Sequence, residues 1–338
     1  MGELRAPSGA GSPRGAPSHY LFAGAGFSSA LPIPGLVCWS AVPAPEPEFA
    51  ISYGVTGFRT RQHAVRYSRK VAVDQVEVQS DEGYTQVLLG FGNVASFSVS
   101  LADGTINVWS APDTTAETIH HLLLDQVLPR LLAHKGHLVL HAGGVVLAGK
   151  AIAFVGTTGA GKSTLVASLH ALGHPLLSDD GLVVTRSGSH GMVLPTYPSL
   201  RLWPDAVAGV FADGTPNLAP MAHYSTKQRV LVDPGTTPHP LPLAALYVLA
   251  PGTTVSTIDI VPVSPRDACM EIVRNAFRLD PTDPERAAAQ LALAASVADA
   301  VPTYSLAYPR AFERVPEVHA ALHAHLATRK SRAGIVGS

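Results

Sequence analysis

The sequence predicts an α/β protein in which a smaller β-rich N-terminal domain precedes a domain with a mixed sheet and a phosphate-binding loop. Two observations support this prediction. The first third of the chain contains short runs of alternating polar and β-branched or apolar residues, which are typical of strands. Farther on, the apolar run "AIAFV" (151–155) leads into "GTTGAGKS" and then into an apolar helical pattern. That order of strand, loop and helix is typical of nucleotide-binding domains.

The chain divides into four predicted segments. Residues 1–18 are rich in Gly, Pro and Ser and are expected to form a disordered arm. The β-rich domain covers 19–112, the phosphate-binding-loop domain covers 113–330, and 331–338 form a flexible tail. The second domain is predicted to begin with a helix over 115–133, kinked at Pro129 because proline removes a backbone donor.

The composition excludes several classes of partner. The 338 residues are 46% hydrophobic and carry a formal net charge of −1, which argues against a nucleic-acid-binding protein. No apolar window reaches the length of a membrane span, so no membrane partner is expected. Two cysteines, Cys38 and Cys269, make no disulfide framework and favour a reducing, cytoplasmic location. A homo-oligomer is compatible with this composition.

A hairpin is predicted immediately before the loop. The segment "GVVLAGKAIAFV" contains two apolar runs that are separated by a turn at Gly149 and Lys150. The strand that leads into the loop should therefore pair antiparallel with its predecessor. This arrangement differs from the parallel βαβ unit of most proteins with such a loop.

The loop itself matches G-x-x-x-x-G-K-[ST] in full and predicts a nucleotide site. Its glycines allow backbone N–H groups to surround an anion, and the following helix adds its positive end. Lys162 is expected to reach the β- and γ-phosphates, and the Ser163 hydroxyl is expected to bind Mg²⁺. The predicted nucleotide-binding residues are Gly156, Thr157, Thr158, Gly159, Ala160, Gly161, Lys162, Ser163 and Thr164. The motif identifies a nucleotide but not a reaction.

Two adjacent carboxylates, Asp179 and Asp180, follow a short predicted strand after the loop's helix. One acid at a strand end is suited to Mg²⁺, and a second is suited to accepting a proton from an attacking hydroxyl. The alternative is an Asp-Asp turn on the surface. His141 ends the strand "HLVLH", and its ring is expected beside these acids, where it would tune a carboxylate or bind a phosphate. A buried structural histidine is the other interpretation.

Three further cations are candidates for substrate contacts. A transferring phosphoryl group needs positive charge beyond one lysine and a metal ion, and Arg201, Lys227 and Arg229 could supply it or bind an acidic peptide. Taken singly, each of them is expected to be a surface charge.

The segment "LHAGGVVLAGKAIAFVGTTGAGKSTLVASLHALGHPLLSDDGLVV" resembles the core of the HPr kinase/phosphorylase superfamily. The resemblance covers about 137–186 well, with a histidine-glycine strand, the hairpin, the loop and the paired aspartates. It is closer still to the HPr-kinase-like proteins of bacterial peptide natural-product clusters, including the lasso-peptide tailoring kinases. There "YPSLRLWPD", "STKQR" and "YSLAYPRAFERVPEV" have counterparts, so it extends over most of 19–327.

This resemblance implies a mixed sheet of the HPr kinase/PEP carboxykinase-like type and ATP- and Mg²⁺-dependent phosphorylation of a serine hydroxyl. The acceptor would be a protein or a peptide, such as a ribosomally made precursor. By position, Asp180 would be the base, Asp179 would assist the metal or the hydroxyl, and His141 would support them. "HAGG" replaces a plain His-Gly, and the downstream Arg-containing signature has no clear match, although Lys227 and Arg229 could take its place. These departures argue against HPr as substrate and against the reverse phosphorylase reaction.

Three alternative functions remain at this point. A small-molecule kinase would use the same chemistry. An ATPase or GTPase switch would also use the loop, but no "LSGGQ"-like or "NKxD"-like motif appears in the sequence. A catalytically silent nucleotide-sensing scaffold would have no need for an intact Lys162, Ser163 and aspartate pair.

Overall fold

The computed structural model describes residues 18–29, 32–33, 36, 48–53, 69–73, 76–212, 214, 216–232, 239–250 and 255–335. The predicted arm lies outside the described residues except for Ser18, which begins the first strand. The chain divides into two compact units. Unit 1 comprises residues up to 136 together with 220–227 and 278–287, and unit 2 comprises 137–219, 228–277 and 288–338.

Unit 1 is built on one eight-stranded sheet. Its elements are β1 (Ser18–Phe22), β2 (Ala25–Ser29), β3 (Phe49–Tyr53), β4 (Arg69–Val73), β5 (Val76–Ser80), β6 (Gln86–Phe91), β7 (Ala95–Ser100), β8 (Thr105–Ser110), α1 (Ala116–Leu122) and α2 (Leu128–His134). The strand order is β1-β2-β3-β8-β7-β6-β5-β4. The strands β4 to β8 form an antiparallel series, whereas β3 pairs in parallel with both β2 and β8. The predicted β-rich character of this part of the chain is therefore present.

The helix predicted over 115–133 is interrupted. The Thr115 side chain caps α1 by accepting a hydrogen bond from the Thr118 N–H, and a π-helical turn over Leu123–Val127 separates α1 from α2. Pro129 lies in the first turn of α2, where a missing N–H costs no helical hydrogen bond. The wider turn before the proline thus accommodates it, and the irregularity precedes Pro129.

The domain boundary predicted near residue 112 differs from the observed division. The helices after it belong to unit 1, where the Lys135 ammonium lies 2.8 Å from a Glu48 carboxylate oxygen. The segment 278–287 also returns to unit 1. There the Arg286 guanidinium donates to the His134 carbonyl at 2.6 Å, and the Tyr84 hydroxyl donates to Asp280. These contacts join residues far apart in sequence, so a local composition shift could not reveal them.

Unit 2 contains the predicted mixed sheet. The elements after residue 137 are β9 (Leu138–Leu140), β10 (Gly143–Leu147), β11 (Lys150–Val155), α3 (Lys162–Ala171), β12 (Leu176–Ser178), β13 (Leu182–Ser187), β14 (His190–Pro195), β15 (Ser199–Leu202), α4 (Pro204–Val210), β16 (Leu218–Pro220), β17 (Gln228–Leu231), β18 (Leu241–Leu249), β19 (Asp259–Pro262), α5 (Pro265–Arg274), α6 (Pro284–Ala300), β20 (Thr303–Ala307) and α7 (Val315–Ile335).

The large sheet of unit 2 has the order β12-β10-β11-β18-β14-β13-β9, and β20 pairs with β18 and β19. The strands β10 and β11 form the predicted antiparallel hairpin. Because Leu147 pairs with Lys150, the turn lies at Ala148 and Gly149, one residue before the predicted position. On its other side β11 pairs in parallel with β18, which itself pairs in parallel with β20. A separate three-stranded sheet has the order β15-β17-β16.

Helices cover both faces of this large sheet because β11 is apolar on both sides. Ile152 and Phe154 face a core that includes side chains of α3 and α7, whereas Ala151, Ala153 and Val155 face a core that includes side chains of α5 and α6. A strand buried on both faces has no polar alternation, as the sequence shows here. The loop that follows β11 therefore begins from a rigid, fully buried strand.

The last helix is longer than predicted. The sequence predicts a flexible tail over 331–338, but α7 continues to Ile335, and of this tail 336–338 lie outside the described residues. The added stretch contains Ala, Arg and Lys, which favour helix. No described helix combines the length and apolar character that a membrane crossing requires.

Candidate phosphate-transfer site

The Gly-rich loop (156–163) connects the end of β11 at Val155 to the start of α3 at Lys162. Gly159 and Gly161 have φ values of 81° and 86°, a left-handed conformation in which a residue with a Cβ is strained. Gly161 is also the N-cap of α3. The backbone amides of the first turn of α3 thus meet the loop, and this arrangement suits an anion.

Lys162 lies against the loop. Its side chain is buried, and its ammonium donates to the carbonyl oxygens of Gly156 at 2.7 Å and Thr157 at 3.3 Å. The positive charge of this ammonium lies directly against the loop, where it attracts an incoming anion. The arrangement therefore suits a phosphate in the concavity of the loop.

Distant residues hold this loop at three points. The side-chain oxygen of Asn275 accepts a hydrogen bond from the Gly156 N–H at 3.2 Å. The Arg310 guanidinium donates to the carbonyls of Gly159 at 3.3 Å and Ala250 at 2.7 Å. The Tyr308 hydroxyl lies beside Gly161, where an added Cβ would be 3.3 Å from it. These contacts fix the loop before any ligand binds.

Sequence reasoning did not identify Asn275, Tyr308 or Arg310 as functional residues. They follow α5 or β20, more than 90 residues after the loop, and no local motif marks them. Arg310 lies within "YSLAYPRAFERVPEV", which contributed to the resemblance without any role for this residue.

Asp179 directly follows β12 and is buried. One of its carboxylate oxygens accepts a hydrogen bond from the Arg201 backbone N–H at 3.0 Å, and the other has no hydrogen-bond partner among the described residues. Burial raises the pKa of Asp179 to about 6, partly offset by the charge of Arg201. The pKa of about 6 already includes the effect of the nearby Asp180 charge, which raises it, and that of the Ser163 hydroxyl, which lowers it. Asp179 and Ser163 are therefore neighbours, and a surface turn is excluded for this aspartate.

Asp180 is more accessible, with 18% of its side chain exposed. The Arg201 guanidinium contacts one of its carboxylate oxygens at 2.5 Å, and Nδ1 of His141 lies 3.5 Å from the other. The two adjacent aspartates thus differ in environment. Asp179 is buried, whereas Asp180 is partly exposed to solvent.

His141 lies beside Asp180, as the sequence predicts, and is not fully buried, since 36% of its side chain is exposed. Its backbone N–H donates to the Asn275 carbonyl at 2.7 Å, and its ring meets the edge of Phe277. A bridge between Leu140 and Ala276 adds this same segment to β9. One short segment after α5 therefore positions both the Gly-rich loop and His141.

The three predicted substrate cations differ in their burial and in their partners. Arg201 on β15 is buried and paired with Asp180, and Arg229, its partner in register on β17, is buried and lies over the Tyr197 ring at 5.8 Å. The expectation that each is a surface charge is therefore wrong for both arginines. Lys227 belongs to the segment 220–227 of unit 1, where its carbonyl accepts from the Met221 N–H.

The residues at the loop fit a magnesium ion bound together with phosphates. Mg²⁺ usually takes one or two protein oxygens and completes its shell with water and phosphate. The buried Asp179 oxygen that lacks a hydrogen-bond partner, together with the adjacent Ser163 hydroxyl, offers such a pair. No group of three or more His, Cys, Asp or Glu side chains in the described part of the chain is arranged to hold a metal by itself.

The comparisons with known proteins give a likeness in structure but no match in sequence. No known family profile matches the sequence, and no curated protein is significantly similar to it. Among solved structures, the chain is similar to the HPr(Ser) kinase/phosphatase from Coxiella burnetii. The identity is 10% and the TM-score 0.31, over 57% of this chain and 98% of that chain. At this low similarity, we base the functional proposal on the geometry of the site.

Proposed function

We propose that this chain is an ATP- and Mg²⁺-dependent kinase that phosphorylates a serine hydroxyl of a peptide or protein. The observation that supports this best is the pair of unlike aspartates beside the Gly-rich loop. Asp179 is buried next to Ser163, and Asp180 is partly exposed and contacts Arg201 and His141. A protein that only binds a nucleotide needs the first of these carboxylates, whereas transfer of the phosphoryl group to a hydroxyl also uses the second.

The loop and its neighbours bind and orient the nucleotide. Backbone N–H groups of the loop and the Lys162 ammonium hold the β- and γ-phosphates, and Asn275 and Arg310 keep the loop in shape. Ser163 and Asp179 hold Mg²⁺, which neutralises charge on the phosphate oxygens when it is bound. The remaining steps depend on side chains of this chain.

Asp180 acts as the general base. Its oxygen nearer His141 is the less tightly held one, since that contact is 3.5 Å and the contact to Arg201 is 2.5 Å. This oxygen takes the proton from the serine hydroxyl as the hydroxyl oxygen forms a bond to the γ-phosphorus. The bond from that phosphorus to the β,γ-bridging oxygen breaks, and ADP leaves with the electron pair.

The exposure of Asp180 bears on the kind of acceptor that the site can use. Asp180 is partly exposed, so a flexible chain can bring a serine to it without a buried pocket for a small molecule. We propose an extended peptide, such as a ribosomally made precursor, as the acceptor. The alternatives are a small-molecule kinase and a nucleotide-hydrolysing switch, which share the loop and Asp179 but differ in the fate of the phosphate.

Product analysis tests this proposal. The full chain is incubated with γ-labelled ATP and Mg²⁺ and one of three acceptors: a synthetic peptide with a C-terminal serine, HPr, or a panel of small alcohols. Mass spectrometry and label transfer then locate the phosphate. We expect a phosphoserine adduct on the peptide.

The outcomes separate the candidate functions. Free phosphate without an adduct would indicate the hydrolase switch, and label on a small alcohol would indicate a small-molecule kinase. Phosphorylation of HPr but not of the peptide would refute the peptide proposal. Lys162→Ala serves as the inactive variant, and Lys70→Ala, which changes an exposed lysine of unit 1, serves as the matched control.

A further inference from the structure

A cavity of about 500 Å³ lies in unit 2, at the edge of the sheet opposite the Gly-rich loop. Its walls come from the turn between β10 and β11, the first residues of β14 and β18, the residues just before β20, and α7. The strands β11, β18 and β20 are parallel and start at this cavity. The loop follows the far end of the six-residue β11, about 20 Å away. The cavity is therefore separate from the phosphate site.

The floor of this cavity is apolar. Leu147, Leu243 and Leu326 line it and are at most 8% exposed, and alanines and prolines complete the walls. Its volume lies within the usual range of small-molecule sites. An apolar chain or ring that enters this space would remove hydrocarbon surface from water, which favours binding.

The rim of the cavity is basic. Lys150, His190 and His323 lie at its exposed edge, and none of the described residues that line it is acidic. Every titratable side chain at the opening therefore carries or can take a positive charge. This pattern selects an anionic group at the mouth, with the apolar part of the ligand inside.

The turn that presents Lys150 is an unusual one. Ala148 and Gly149 form a two-residue hairpin loop with φ values of 52° and 76°, and Leu147 pairs with Lys150 across it. A hairpin with two such residues has the primed turn type, which normally takes Asn or Gly rather than Ala. The conformation brings Lys150 to the mouth of the cavity despite an unfavourable backbone at Ala148.

We propose that this cavity binds a small amphiphilic anion, namely an apolar chain or ring with one carboxylate or sulfonate group. The apolar part occupies the floor, and the anionic group contacts Lys150 and the two histidines at the rim. The charge complementarity excludes a cationic amphiphile of the same size.

Fluorescence titration of the full chain with 8-anilinonaphthalene-1-sulfonate tests the proposal. We expect saturable binding of one probe per chain. Decanoate should displace the probe, and decyltrimethylammonium, which has the same apolar chain and the opposite charge, should not. Lys150→Met should weaken binding about tenfold, which corresponds to about 1.4 kcal/mol. Lys70→Met, the same change at an exposed lysine outside the cavity, should have no effect.

The Lys150→Met change could alter probe binding without acting inside the cavity, so a second variant fills the cavity itself. Ala327→Trp places a large side chain into the cavity from an exposed position of α7 and should abolish probe binding while the circular dichroism spectrum stays unchanged. Non-saturable binding, or equal displacement by both amphiphiles, would overturn the proposal. So would loss of probe binding in Lys162→Ala, since the anion would then occupy the Gly-rich loop. A dimer that dissociates in Ala327→Trp would also overturn it and would identify a second copy as the occupant.

Discussion

Replacing Asp179 by asparagine should stabilise the ligand-free protein and remove its response to Mg²⁺ and ATP. The carboxylate is buried, and one of its oxygens lacks a hydrogen-bond partner among the described residues. Burial raises its pKa to about 6. Asparagine has no charge to bury, and its side-chain oxygen can still accept the hydrogen bond from the Arg201 N–H.

The magnitude follows from the shift in pKa. Because the folded pKa of about 6 exceeds the ordinary aspartate pKa of 3.8, folding favours the protonated carboxyl. The folded wild type therefore loses stability as the pH rises through this window, and the loss is complete above about pH 7. The cost is about 3 kcal/mol at pH 8 and about half of that at pH 5. The advantage of Asp179→Asn should thus grow by about 1–2 kcal/mol between these pH values.

Urea unfolding of the wild type and the variant at pH 5 and pH 8, without nucleotide and with a chelator, measures this difference. Asp113→Asn, a change at an exposed aspartate, is the control and should behave as the wild type at both pH values. Addition of Mg²⁺ and ATP should raise the unfolding midpoint of the wild type and not that of Asp179→Asn. A variant whose advantage is the same at pH 5 and pH 8 would refute the assignment of a buried, strained charge to Asp179.

Three further changes test the other parts of the site. Asp180→Asn should retain ATP binding in calorimetry but slow phosphoryl transfer about 10²- to 10⁴-fold in single-turnover assays, and an unchanged rate would exclude it as the base. Lys162→Ala should lower the rate at least about 10²-fold without a change in the circular dichroism spectrum, because a charge at the phosphates is lost. Asn275→Ala removes the acceptor for the Gly156 N–H and should weaken ATP binding several-fold, in line with about 1 kcal/mol for one hydrogen bond. Equal ATP affinity in Asn275→Ala and the wild type would show that the loop does not need this contact.

Local motifs predicted the centre of the candidate site from sequence. The Gly-rich loop, its strand and its helix are contiguous, and their pattern does not depend on distant parts of the chain. The antiparallel hairpin was predictable for the same reason, because Gly149 marks a turn between two apolar runs. The position of the aspartates followed from their place directly after a short strand.

The positions of Arg201 and Arg229 could not be predicted in this way. All four residues of β15 are buried, so the strand shows no alternation of apolar and polar residues. From the sequence alone, Arg201 resembles a surface residue, because its pairing with Asp180 is visible only in the structure. The contacts of Asn275 and Arg310 with the loop join segments 119 and 151 residues apart, and no periodicity in a single sequence encodes such a pairing.

The two aspartates are chemically identical residues, and the fold separates their roles through Arg201. The Arg201 backbone N–H holds Asp179 from β15, and the Arg201 guanidinium holds Asp180. Because Arg201 contacts both carboxylates, a displacement of β15 would move Asp179 and Asp180 together. The register of β15 with β17 and the covered position of Arg201 oppose such a displacement. Under the proposed function, the buried carboxylate would hold the cation and the partly exposed carboxylate would take the proton of the hydroxyl.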